Sequence, residues 1–134
     1  MKHKFLIFYS TLSFFFVSCK KDNEPSKTQL LTESRWIYQD AKRNGVSIFT
    51  TIQACSRDNL FYYKTNGELT IDDGPTKCNS ADPQTANFAW FFFSNEDSIN
   101  INGFRTKVLE VSKTQFITEQ INSSGDKYVD YYGR

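Results

Sequence analysis

Three Asn-Gly dipeptides, Asn44-Gly45, Asn66-Gly67 and Asn102-Gly103, most constrain what this chain can fold into. Asn and Gly both tolerate positive φ. Each pair therefore fits a type I′ turn, whose twist matches that of paired antiparallel strands. Two more turns are expected at Ser112-Lys113 and Ser124-Gly125-Asp126, and Asp72-Asp73-Gly74-Pro75 opens a longer loop that runs to about Ala86. Between these marks lie segments rich in aromatic and β-branched residues: 35–42, 46–51, 59–64, 68–72, 88–94, 98–101, 104–111, 115–121 and 127–132. Val108-Leu109 breaks the alternation, which predicts a bulge or apolar residues on both faces, and Phe91-Phe92-Phe93 also feeds both faces. No segment after residue 34 has a helical period, while residues 28–34 suit one short helical turn with Leu30 and Leu31 as a plug. Eight or nine strands joined hairpin to hairpin must dispose of their edges. Closure into an up-and-down barrel does so, and a sandwich is the alternative. The local connections favour the meander.

The N-terminus has a different character. Lys2-His3-Lys4 precedes an apolar run over 5–17, thirteen residues long and short of the ~20 that a membrane-spanning helix needs. A positive flank and a short apolar stretch read as an export signal. The run ends in Phe16-Val17-Ser18-Cys19, which resembles a lipobox. Thioether lipidation requires the sulfur of Cys19, so residues 1–18 are expected to be a lipoprotein signal peptide. An ordinary secretory peptide with an incidental cysteine is the alternative. Residues 19–27 then form the lipidated cysteine and a polar, flexible tether, and 28–134 the folded domain. Lys20 and Lys21 are placed to touch lipid phosphate.

Cleavage before Cys19 leaves 116 of the 134 residues and changes the composition. Lys2 and Lys4 leave, so 14 basic residues face 15 acidic ones and the net charge moves from +1 to −1. The single histidine, His3, leaves too. Sixteen of the 22 aromatic residues stay, so the aromatic excess belongs to the fold. Lys and Arg are scattered and form no stripe between aromatics, and neither charge nor compartment favours nucleic acid.

Cys55 and Cys78 remain once Cys19 is assigned. In an oxidising compartment a disulfide between them is expected. The loop it closes has 24 residues, for which loop entropy gives roughly 3.5 kcal/mol. Two distant cysteines without histidine do not make a zinc site, and neither has a CxxC partner.

Several stretches resemble known proteins. The basic-then-acidic run after Cys19 resembles the tethers of Bacteroidota lipoproteins, where such runs can direct display on the outer face. Leu30-Leu31-Thr32-Glu33-Ser34-Arg35-Trp36 is similar to the start of a lipocalin barrel, where a helical turn precedes a tryptophan on the first strand; Ser34 stands where that pattern has glycine. Cys55-Ser56-Arg57-Asp58-Asn59, then Phe61-Tyr62-Tyr63-Lys64-Thr65-Asn66-Gly67, Gly74-Pro75-Thr76-Lys77-Cys78, Asp82-Pro83 and Trp90 follow the order of the lipocalin-like domain of Bacteroidota lipoproteins. The resemblance covers roughly residues 28–121. It implies an all-β, lipocalin-like barrel of about eight strands anchored by lipid in the outer membrane, on its periplasmic face or at the cell surface. It also implies that Trp36, Phe61, Tyr63, Leu69 and Trp90 point into the barrel. Within strands, alternation agrees. Those rings either fill the interior or line an apolar pocket at its open end.

Without histidine in the mature chain, His-dependent triads are excluded, and no Gly-rich phosphate loop occurs. Asp72-Asp73 before Gly-Pro reads as a solvated turn rather than a calcium site. Asp40, Asp58 and Glu110 would have to meet inside the barrel to act as a glycosidase-like pair, and nothing in their spacing requires it. The Asn122-Ser123-Ser124 glycosylation pattern reads as chance, and Asp97-Ser98-Ile99, similar to a Bacteroidota O-glycosylation motif, as a turn leading into a strand. The expectation is a non-catalytic monomer without metal or cofactor that binds a small apolar or amphipathic ligand. A ligand-free structural or interaction module with a filled core, acting through its outer surface or loop 73–87, is the rival.

Overall fold

The computed structural model describes residues 24–134, so the expected signal peptide, Cys19 and the first part of the tether lie outside the described residues. The fold is all-β. After helix α1 (Lys27–Thr32) come β1 (Trp36–Arg43), the two-residue β2 (Val46–Ser47) and the one-turn helix α2 (Ala54–Arg57). Then follow β3 (Leu60–Tyr63), β4 (Glu68–Asp72), β5 (Thr85–Phe93), β6 (Ser98–Ile101), β7 (Phe104–Val111), β8 (Gln115–Ile121) and β9 (Lys127–Gly133). All pairings are antiparallel between neighbours from β3 to β9, and β1 pairs with both β3 and β9. Hydrogen bonds thus ring through eight strands, which removes the sheet edges that a meander would otherwise expose.

The turn chemistry explains much of this. Asn44 and Gly45 have φ of 50° and 85°, Asn102 and Gly103 of 49° and 91°, as a type I′ turn demands. Asn66-Gly67 differs: only Gly67 has positive φ, and a Gly67 N–H bond to the Lys64 carbonyl at 3.0 Å builds a longer connection. Leu109 is the expected bulge, where the β7–β8 register shifts between Val108 and Glu110. A second bulge at Gln39 shifts β1 against β9, and its side chain lies over Gly133, where a Cβ would sit 1.8 Å from Nε2.

The segment 46–51 is not the strand its residues suggest. Only Val46 and Ser47 pair with β1, and Phe49–Thr51 forms a 3-10 turn. The reason is topological. On the β3 side, β1 pairs only through Trp36 and Ile37, and higher up only Lys42 and Arg43 meet β2. The seam left beside Tyr38 is covered by the Phe49 ring, 5.7 Å from the Tyr38 ring, with the Arg57 guanidinium over Phe49 at 5.3 Å. The Cys55–Cys78 disulfide, with Cα atoms 5.1 Å apart, ties this insert to the loop after β4.

Opposed residues in antiparallel register share a face. The interior rows therefore run Trp36–Phe61–Ile71–Ala86, Tyr63–Leu69–Phe88, Phe92–Ile99–Thr106, Ala41–Asp130–Thr118–Val108, and Tyr38–Tyr132–Phe116–Val111. Leu31 of α1 plugs one end and is fully buried with Trp36, Leu69, Ile99 and Phe116. Burial of each such side chain is worth about 1.5–3 kcal/mol.

Candidate functional site

All five expected interior residues belong to one hydrophobic core; Trp36, Tyr63, Leu69 and Trp90 are buried and Phe61 is half-buried. Rings link them edge to face. Phe92 meets Trp90 at 5.6 Å, Trp90 meets Tyr63 at 5.3 Å, and Phe116 meets both Tyr63 at 5.8 Å and Trp36 at 5.9 Å. Each indole N–H finds a carbonyl: Trp36 donates to Leu31 at 2.9 Å, and Trp90 lies 3.1 Å from the Lys64 and Glu68 oxygens. Four of the five thus form a closed floor.

α1 seals that floor. Ser26 and Gln29 make a reciprocal capping box, and the Glu96 carboxylate accepts from the Lys27 and Thr28 amides at 2.8 and 2.9 Å. Glu96 itself sits in a left-handed run, with φ of 46°, 55° and 68° at Ser94, Asn95 and Glu96, a conformation unfavourable for non-glycine residues. Burial opposes ionisation of Glu96, but the Thr28 and Lys27 donors outweigh it and lower its pKa. Arg134 closes the other side, donating to Leu30 O at 2.6 Å with its guanidinium 4.8 Å from the Trp36 ring.

At the opposite end the interior opens. Along β5 the inward residues go from buried Trp90 through half-buried Phe88 to exposed Ala86. Along β7 they go from Val108 through Thr106 to Phe104, which is 71% exposed; along β8, from Phe116 and Thr118 to exposed Gln120. The same drift on separate strands defines a mouth above the aromatic floor. Its rim is stapled where Asp126 accepts from Arg43 at 2.5 Å and from Asn44 at 2.8 Å, joining two hairpins.

Polar chemistry enters between floor and mouth. Tyr38 donates its phenolic O–H to Asp130 Oδ1 at 2.5 Å, next to Tyr132, whose ring lies 5.1 Å from that of Tyr38. Thr118, in register with Asp130, is the buried polar residue of the barrel. Burial raises the Asp130 pKa although the Tyr38 hydrogen bond pulls it down. Burial, then donation to Asp130, raises the Tyr38 phenol above its ordinary range. Among the described residues no cation pairs with Asp130. Among those residues its Oδ2 has no hydrogen-bond partner either.

This pair escaped the sequence reading, which weighed Asp40, Asp58 and Glu110 instead. Asp40 accepts from Ser47 and from the Ala41 amide, and Asp58 accepts from the Thr76 amide through Oδ2 while its buried Oδ1 has no partner among the described residues; the two sit in separate turns. The alternation Tyr128, Asp130, Tyr132 was the available signal, since three residues at period two share a face. Two clefts lie outside the barrel. One of about 460 Å³ is lined by Pro25, Leu30, Glu33 and Lys113 beside α1, and one of about 290 Å³ by Gly67, Glu68 and Asn87 on β4 and β5. None of the five expected ligand residues lines either. Among the described residues, no three His, Cys, Asp or Glu side chains gather to hold a metal ion. No protein-family model matches the chain, and neither does any curated protein.

Proposed function

We propose that this chain is a lipocalin-like cell-envelope lipoprotein, anchored to the outer membrane through Cys19, that takes a small amphipathic ligand into the mouth of its barrel and does no chemistry on it. The supporting observation is the contrast along the interior face. The floor is a closed aromatic mesh, and the residues above it grow more exposed toward one end. A ligand entering there buries apolar surface against Phe61, Phe88 and Tyr132, while a polar head meets Tyr38 and Asp130. On this reading Trp36, Tyr63, Leu69 and Trp90 shape the floor and Phe61 makes contact.

The tether reaches α1 at the sealed end. Cys19→Ser is expected to release the protein from membranes and abolish lipid labelling; unchanged fractionation refutes the anchor. Binding is tested by native mass spectrometry of the purified protein, then titration with fatty acids, retinoids and haem-like compounds followed by Trp36 and Trp90 fluorescence. A bound ligand shifts or quenches the emission. The continuous ring contacts of the floor favour the rival reading, a filled barrel acting through its outer surface. No co-purified molecule and no response to any titrant would establish that rival.

A further inference from the structure

We infer that the mouth selects organic ammonium ligands: a protonated primary amine on an apolar body. This rests on the ligand-binding reading above and names the ligand class. The carrying feature is the Asp130 carboxylate. It lies on the interior face, half-buried, and one oxygen is engaged only by Tyr38. Among the described residues the other oxygen has no hydrogen-bond partner, and no cation pairs with it. Half-buried carboxylates are ordinarily paired, so this one is electrostatically incomplete.

The surroundings point the same way. Among the described residues no charged group on the neighbouring elements pairs with Asp130, although Arg57 keeps a buried Nε without a partner. Arg43 pairs with Asp126 at the rim, Arg57 lies over Phe49, and Asp40 on the next strand adds further negative charge. Tyr38 donates its own proton to Asp130 and so presents no donor to a ligand carboxylate, and an anionic head would face Asp130 directly. The Tyr38 ring that donates to Asp130 packs against two more rings, Tyr132 at 5.1 Å and Phe49 at 5.7 Å. A carboxylate flanked by aromatic rings suits an ammonium group, which donates a charge-assisted hydrogen bond to the carboxylate and is held by cation–π attraction to the rings. The apolar body then lies on Phe61, Ile71 and Phe88 below.

The test compares three probes of equal chain length, octylammonium, octanoate and octanol, by calorimetry on the purified full chain at neutral pH. Octylammonium is expected to bind at least about tenfold more tightly than either of the others. Asp130→Asn, which keeps the shape and the acceptor for Tyr38, is expected to bring octylammonium to within about threefold of octanol. Asp97→Asn, an exposed acid at the sealed end, is the control for general negative charge and is expected to leave the preference intact. Equal binding of all three probes, or a preference that survives Asp130→Asn, overturns the ammonium assignment while leaving a binding mouth. A preference lost equally in Asp97→Asn overturns it as well. Failure of all three probes removes the binding reading itself.

Discussion

The two ends of this barrel solve opposite problems. At the sealed end the polar groups that hold α1 in place have partners: the helix N-terminus meets Glu96, the Trp36 indole meets Leu31, and Arg134 bridges to Leu30 and Glu33. At the mouth a carboxylate is left with a spare oxygen and the inward side chains reach water. The first arrangement maximises stability. The second holds a half-buried acid without a cationic partner among the described residues, where stability alone would not put one, as functional sites commonly do. Acid titration separates them by sign. Glu96 has a lowered pKa, so its contribution is present above the ordinary carboxyl range and is lost as pH falls through the lowered value. Asp130 has a raised pKa, so its contribution is present while the group is protonated and is lost as pH rises through the raised value.

The contrast can be broken most forcefully in the floor. Trp36→Ala empties a fully buried position and is expected to cost about 3–5 kcal/mol in denaturant unfolding, against less than about 1 kcal/mol for Phe104→Ala at the exposed rim. Comparable losses would mean that the mouth is as tightly packed as the floor. Next comes the seam. Replacing Cys55 and Cys78 together by serine is expected to cost roughly 3 kcal/mol, with hydrogen exchange rising first in α2 and the loop after β4. Uniform exchange across all strands would show that the insert is not a separate unit.

Two smaller effects test the signs. Glu96→Gln is expected to destabilise by about 1 kcal/mol at neutral pH, with the deficit against wild type shrinking on acidification. Asp130→Asn is expected to stabilise by on the order of 1 kcal/mol at neutral pH, a gain that also fades as the wild-type carboxyl protonates. Destabilisation by Asp130→Asn would mean that ionised Asp130 is a structural acceptor rather than an unfilled site.

The barrel was readable because its signals are local. Asn44-Gly45 and Asn102-Gly103 carry their turn geometry in two residues, and the Leu109 bulge shows as a broken alternation. The spans 68–72, 98–101, 104–111 and 115–121 match β4, β6, β7 and β8. What failed was decided at a distance. Residues 46–51 have strand composition, but β1 offers them only two partners before the seam needs Phe49. Helix α2 has one turn and no period to detect; a disulfide and its neighbours hold it. The five aromatic and aliphatic positions that the resemblance implied to point inward do lie in the core, in agreement with the alternation within their strands. Asp130 was missed because an isolated acid between tyrosines reads as solvent-facing. Its burial depends on Tyr38, 92 residues earlier in the chain, which no local pattern contains.

The pairing of β1 with β9 has a consequence for how the chain is made. Every other strand contact in the ring from β3 onward joins neighbours in sequence, but the closing seam unites residues around 37–43 with residues around 128–133. Until the last strand is available, the first presents an open edge and the aromatic floor has a missing wall. A polypeptide that emerges N-terminus first is therefore held back from its final state by its own topology, and stays pliable until its last strand is available.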